Sequence, residues 1–219
     1  MSLNEFSLIE QYFSAIGQAE GVVLGVGDDG ALLDVPAGHH LVVSVDTLVA
    51  GVHFPEDAAA GDIARRALRV NLSDLAAMGA TPRWFTLALT LPRADMAWLA
   101  AFSRALVTDA GQFGCALVGG DTTAGPLSIT IQPMGLVPTG CLLTRSGAQA
   151  GDHVYVTGTL GEGAAALQLF DPSVELAGSV RERLKECFYP PTPRLREGLA
   201  LRGLASAALD ISDGLLADL

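Results

Sequence analysis

Residues Gly25-Val26-Gly27-Asp28-Asp29-Gly30-Ala31-Leu32-Leu33 place two adjacent carboxylates between glycines and aliphatic side chains. The letters GVGDDG fit the dinucleotide pattern G-x-G-x-x-G, which would make the chain a doubly wound dinucleotide binder. That pattern works only between a strand and a helix, where backbone N–H groups at the helix start meet a pyrophosphate. Here Ala31-Leu32-Leu33-Asp34-Val35-Pro36 follows, a strand-like run stopped by proline. An acidic pair would also repel a phosphate set directly against it. The stretch therefore reads as a polar turn between two strands. Its apolar neighbours favour burial, and a buried carboxylate without a partner is costly, so the charges need another explanation.

Composition narrows the choices. The chain has 219 residues, enough for one large domain or two small ones, and 50% of them are hydrophobic, enough to fill a sizeable core. The formal net charge of -11 argues against nucleic acid or an acidic membrane as partner, because both select basic surfaces. It leaves phosphate ligands open, since bound cations invert the local sign. Cys115, Cys141 and Cys187 are scattered with no CxxC, which fits free thiols in a reducing cytoplasm rather than a disulfide framework or zinc-thiolate site. The start MSLNEFSLIE has neither a basic run nor an apolar run, so no secretory signal is expected there. No apolar run is long enough to span a bilayer.

Periodicity predicts helices over residues 4–17, 61–78 and 95–110, with Gly79 and Gly111 as stops. Strands are expected at Val22–Val26, Leu41–Val45, Arg83–Leu91, Ala116–Val118 and Leu127–Gln132. Beyond the turn-rich joint Arg145–Asp152, a strand is expected at His153–Thr157 and a helix at Gly163–Phe170. Pro190, Pro191 and Pro193 punctuate the next connection. Leu209-Asp210-Ile211 reads as a strand end, with a helix from about Asp213. The joint sets the expected boundary, a domain over 1–142 and the beginning of a second over 143–219. The chain stops inside what reads as a helix, so the second domain is expected to be incomplete.

Aspartates recur in one kind of setting. Asp46 ends a strand in Val43-Ser44-Val45-Asp46, and Asp74 sits on the otherwise apolar helix of Asn71-Leu72-Ser73-Asp74-Leu75. Asp121 follows Leu117-Val118-Gly119-Gly120, and Asp210 and Asp213 lie in Leu209-Asp210-Ile211-Ser212-Asp213-Gly214. Any one of these is also what a helix cap or an Asx turn uses. Together with Asp29, their number at strand ends beside glycine or serine suggests convergence. Two carboxylates ~5 Å apart at an effective dielectric near 20 repel by about 3 kcal/mol. Several would gather only around a counter-ion, and magnesium commonly combines carboxylates with substrate phosphates.

Other chemistry is sparse. Arg145 at the joint could grip a phosphate bidentately or be a solvated surface arginine. His53 could touch a ligand or simply sit beside its apolar neighbours, and His39, His40 and His153 have no metal-ligand spacing. There is no GxxxxGK[ST] loop, no HExxH and no GxSxG. Gly158-Thr159-Leu160-Gly161-Glu162-Gly163 could offer N–H groups to an anion, or be a tight strand-to-helix turn.

In order along the chain, GDDGALL, VSVDTLVAGVHF, NLSDLAAMGA, VGGDTT, RSGAQAGD, VTGTLGEGAA and DISDGL resemble the thiamine-monophosphate kinase family. Its superfamily includes aminoimidazole-ribonucleotide synthetase and selenophosphate synthetase. The resemblance covers nearly the whole chain and implies ATP- and Mg²⁺-dependent phosphorylation of thiamine monophosphate to thiamine diphosphate. It implies a mixed α/β fold of two domains, in which N-terminal domains pair into a homodimer with a shared barrel and the C-terminal domain closes over the site. Carried over by motif, Asp29, Ser44, Asp46, Asp74, Asp121, Asp210 and Asp213 match magnesium ligands. Gly120, Asp121, Arg145 and Ser212 match ATP contacts, and His53 matches a substrate contact. On this reading Asp29 is the ligand of the opening stretch, and Asp28 either supports it from behind or is solvated.

Two departures follow from the same resemblance. Val45 stands where relatives often have threonine, so a ligand there would have to be its carbonyl oxygen. Relatives are also longer, and their extra C-terminal part carries further substrate contacts. The acceptor already presents an anionic oxygen, so the resemblance implies direct in-line transfer without a dedicated base or a phosphoenzyme. Three other readings stay open on sequence: a sister enzyme acting on another substrate, a non-catalytic nucleotide-binding or dimerisation module, and a dinucleotide oxidoreductase resting on GVGDDG or GTLGEG.

Overall fold

Period-two and period-three-to-four apolar runs become strands and helices in the computed structural model, which describes residues 12–13 and 19–219. The helix expected over 4–17 otherwise lies outside the described residues. In chain order the strands are β1 (Val22–Leu24), β2 (Leu32–Leu33), β3 (His39–Val43), β4 (Asp46–Val49), β5 (Thr81–Leu91), β6 (Ala116–Ala124) and β7 (Ser128–Pro138). The helices are α1 (Ala60–Ala77), α2 (Met96–Phe113), α3 (Glu162–Ala166), α4 (Gly178–Phe188), α5 (Leu195–Ala200) and α6 (Leu215–Asp218).

β7 is the centre of the main sheet. β3 and β4 pair antiparallel with successive halves of one side of it, and β5 pairs antiparallel with the other side. β6 joins β5 in parallel, which requires the crossover that α2 supplies. β1 and β2 form a separate antiparallel pair. The break between β3 and β4 leaves Ser44 and Val45 between two strands that share one neighbour.

The alternating Phe85, Leu87, Leu89 and Leu91 of β5 meet Ile129 and Ile131 of β7 on one sheet face. Ile63, Ala64, Ala67, Leu68, Leu72 and Leu75 of α1 cover that face, and Leu99, Phe102 and Leu106 of α2 join them. The other face carries Trp84, Ala116, Val118, Met134 and Leu136, with Val22 and Leu33 from the β1–β2 pair packed on it. Leu41 and Val43 of β3 lie opposite Leu136 and Met134 and stay exposed.

α1 runs almost over its predicted span and stops at Gly79, whose φ of 63° is the left-handed conformation glycine adopts most readily. α2 departs from expectation. It continues through Gly111, where the backbone stays right-handed, and ends at Gly114 with φ 67°. Phe113 in that added turn packs against the core, which favours the extension. The strand expected at His153–Thr157 is not formed; among the described residues it has no partner, and a strand cannot stand without one. Leu209-Asp210-Ile211 is likewise not in a strand. The helix expected over 163–170 divides into α3 and a 3₁₀ turn, Leu167–Phe170.

Arginines tie the later helices to α1. Arg66 and Arg69, one turn apart on α1, donate to the carbonyls of Phe188 and Pro190 at the end of α4, where helix carbonyls lack partners and favour positive charge. Arg202 returns the contact, donating to the Gly79 carbonyl and the Thr81 hydroxyl. α5 lies so close to α1 that a Cβ on Gly198 would overlap the Ala76 carbonyl.

Candidate functional site

The strand break places a hydroxyl and a carboxylate beside the middle of α1. The Ser44 hydroxyl donates to Asp74 Oδ2 at 2.6 Å, and the Asp46 N–H donates to Asn71 Oδ1 at 3.1 Å. Asn71 and Asp74 are three residues apart and so share a helix face. Asn71 is fully buried, and its amide also donates to the Ala67 carbonyl at 2.8 Å. It therefore anchors the first residue of β4. Nothing in the pattern assigned it a part, although a polar residue at a core position of an amphipathic helix is the signal that would have done so.

Asp46, Asp74 and Asp210 interact as like charges. Burial pushes the Asp46 carboxyl up, Asp210 pushes it further, and His53 opposes both. Burial also raises Asp74; the Ser44 hydroxyl lowers it, Asp210 and Asp46 raise it, and Arg145 lowers it. Arg145 reaches Asp210 at 3.2 Å, across a 65-residue separation, so the joint and the DISDGL stretch meet. Among the described residues no three histidine, cysteine or acidic side chains close a cation site by themselves. What exists is a set of hard oxygen donors whose mutual repulsion a divalent cation would relieve. Hard oxygen ligands suit Mg²⁺ rather than a soft or nitrogen-seeking metal.

The other predicted residues are placed differently. Asp29 is exposed on its turn, its N–H taken by Asp28 Oδ1 at 2.8 Å. Asp121 is exposed on β6 opposite Ala88. Neither is among the charges that shift Asp46 or Asp74. Gly120 lies against β5, where a Cβ would overlap the Leu87 carbonyl oxygen, so only glycine fits that approach. The N–H groups of Ser212, Asp213 and Gly214 all donate to Asp218 Oδ2, at 2.9, 3.1 and 3.1 Å.

His53 accepts the Val49 N–H through Nδ1 at 3.0 Å, which puts the proton of the neutral ring on Nε2. With Asp46, Ser212 and Asp213 it lines a cavity of about 690 Å³ between the β4 edge of α1 and the later helices. Arg66, Phe170 and Phe188 also line it. Sequence reading missed these three because only tertiary packing brings them to the cavity.

Residues 27–137 match the family "AIR synthase related protein, N-terminal domain". The whole chain is 50% identical to the thiamine-monophosphate kinase of Escherichia coli (strain K12), of which it spans 68%. The crystal structure of thiamine-monophosphate kinase from Stenotrophomonas maltophilia K279a is similar at a TM-score of 0.88 and 48% identity, covering 100% of this chain and 71% of that one. "AaThiL complexed with AMPPCP and TMP" is similar at a TM-score of 0.78 and 29% identity, covering 99% of this chain and 69% of that one.

Proposed function

Since this chain belongs to the thiamine-monophosphate kinase family, we propose that it transfers the terminal phosphoryl group of ATP to thiamine monophosphate, giving thiamine diphosphate and ADP. The observation that carries this reading is the repelling group Asp46, Asp74 and Asp210, of which Asp46 lines a cavity large enough for a small acceptor. A similar chain was solved with both AMPPCP and TMP, which supports the same pair of ligand classes here.

Ser44, Asp46, Asp74 and Asp210 would hold Mg²⁺, with Asp29, Asp121 and Asp213 as further ligands brought by the motif correspondence. Bound Mg²⁺ neutralises phosphate charge and aligns the two phosphates. Arg145 releases Asp210 for a nucleotide phosphate, which its planar fork also fits. Gly120 offers backbone rather than side chain to ATP, beside Asp121 and Ser212. His53 presents Nε2–H to the acceptor. The acceptor oxygen is already anionic, so no side chain has to take a proton from it, and transfer is direct and in line.

The reading divides the chain at the joint, 1–142 for nucleotide, metal and dimerisation and 143–219 for closure over the site. The sheet ends at Pro138, and the apolar group Ala166, Leu184 and Phe188 is separate from the main core, which supports that division. Three free cysteines fit the cytoplasm as its place. No helix among the described residues is long and apolar enough to cross a membrane.

The test of function is thiamine diphosphate formation from ATP and thiamine monophosphate, with and without Mg²⁺. Product only with the metal is expected; no product from protein shown to bind ATP counts against the reading. Homodimerisation has its own support in the exposed apolar side chains of strands, Leu41 and Val43 on β3 and Val23, Leu24 and Leu32 on the β1–β2 pair. Val43→Glu should weaken self-association at least about 100-fold, because a buried unpaired charge at an interface centre is costly. Analytical ultracentrifugation checks this, and a dimer that survives the change moves the interface elsewhere.

A further inference from the structure

The cavity is polar at Asp46, His53, Ser212 and Asp213 and apolar at Val52, Leu167 and Phe170. Leu167 and Phe170 come from the 3₁₀ turn after α3, and Val52 from the turn after β4. Phe170 is 40% exposed although it stands in a cavity wall. Its ring is held in place by edge-to-face contacts, with centroids 4.9 Å from Phe188 and 6.5 Å from Tyr189. Phe188 is buried, and the Arg66 guanidinium covers its ring at 3.9 Å while donating to its carbonyl. The Phe188 face is therefore in use, and Phe54, the third phenylalanine of the lining, is buried, which leaves Phe170 as the phenyl ring open to a ligand.

We propose that Phe170 is the platform for the planar cationic ring of the acceptor, and that it selects an aromatic phosphate monoester over an aliphatic one. The proposal rests on the kinase reading above. A thiazolium spreads positive charge over a flat ring, and the face of a phenyl ring attracts such charge once water is excluded. Leu167 and Val52 line the same cavity with exposed apolar surface, which a bound ring would cover and so take out of water. With the ring there, the phosphate would be left to the polar lining of the same cavity, Asp46 and His53. Anchored packing behind Phe170 keeps the platform in position before the acceptor arrives, which lowers the ordering cost of binding.

Two variants separate aromatic character from bulk. Phe170→Leu keeps apolar volume and removes the ring face, whereas Phe170→Tyr keeps the face. In calorimetric titration with thiamine monophosphate alone, F170L is expected to bind about 10-fold more weakly and F170Y within about twofold of the parent protein. KM for ATP should be unchanged in both. Equal affinity of F170L and a parent protein that makes thiamine diphosphate overturns the platform and leaves the kinase reading standing. Equal losses in F170L and F170Y assign Phe170 to packing and also overturn it. A parent protein that binds ATP but neither binds nor phosphorylates thiamine monophosphate overturns the kinase reading, and the platform with it.

Discussion

Asp74→Asn will abolish most kinase activity and make the metal-free chain more stable. The two effects have one cause. Asp74 is half-buried next to Asp46 and Asp210, and burial and both like charges raise its carboxyl. The folded chain thus holds an ionised group that it would rather protonate. Asparagine has the same shape, and its amide oxygen still accepts the Ser44 hydroxyl that Asp74 Oδ2 accepts at 2.6 Å. Removing the charge relieves the repulsion and keeps the hydrogen bond. Solvent screens this half-exposed site, so the gain is modest, about 1 kcal/mol, or about 2–4 °C in Tm for a chain of this size. On the proposed function, one of the charges that would hold Mg²⁺ against the phosphates is also gone, and kcat should fall on the order of 10²–10³-fold. Thermal melts in a chelating buffer and steady-state assays with Mg²⁺ test the two halves. A variant that is less stable without metal would mean that the carboxylate group is not strained as described.

The pH dependence has a definite sign. A carboxyl raised in the folded state favours folding when it is protonated. Its contribution is complete below the unfolded value of 3.8 and is lost as pH rises through the raised folded value. Between those two values the metal-free parent chain should lose stability with rising pH at this site, and D74N should lose less.

Legibility followed the range of the interactions. α1 was readable because its apolar face, Ile63, Ala67, Leu68, Leu72 and Leu75, repeats at helical spacing, and glycine marks its end. α2 ran past its predicted stop because a glycine inside a helix costs only about 1 kcal/mol, which the packing of Phe113 offsets. α4 was not read at all: Gly178–Phe188 buries only Leu184 and Phe188, too sparse an apolar face to announce a helix. The alternating Val154-Tyr155-Val156 suggested a strand, but alternation gives only the faces and a strand also needs a neighbour.

The site divides the same way. Repeated aspartates beside glycine and serine pointed to Asp46, Asp74 and Asp210, the family resemblance added Ser44, and the fold brings these into one neighbourhood with Arg145. Asp29 and Asp121 carry the same local signature yet stand exposed and are not among the charges that shift Asp46 or Asp74. Local signature records what a residue type is suited for; only chain topology decides whom it meets. Asn71 stood inside a quoted motif without a part assigned to it, Arg66 and Phe170 had no motif around them, and the contacts of the three reach 25, 122 and 18 residues along the chain.

The largest loss of stability is expected from Asp109→Ala. Asp109 of α2 is 2% exposed and Arg69 of α1 13%, and the two form a bidentate pair through Arg69 Nε and Nη2, the latter at 3.1 Å. The third nitrogen donates to the Pro190 carbonyl at 3.2 Å, and the guanidinium lies 5.2 Å from the Phe113 ring. One arginine thus joins α1, α2 and the connection after α4. Alanine would leave the Arg69 charge buried with its main partner gone, a loss of about 3–5 kcal/mol against about 1 for an exposed pair. That corresponds to a fall in Tm of about 10 °C. Arg69 is two residues before Asn71 and five before Asp74, so movement of α1 also displaces the carboxylates, and activity should fall further than stability alone requires. Replacing both partners, as Arg69→Met with Asp109→Leu, should recover much of the stability, because no buried charge then remains. Urea unfolding of the single and double variants decides between these outcomes. A cost near 1 kcal/mol for Asp109→Ala would mean that water reaches the pair, and that α1 is held against α2 by its apolar face alone.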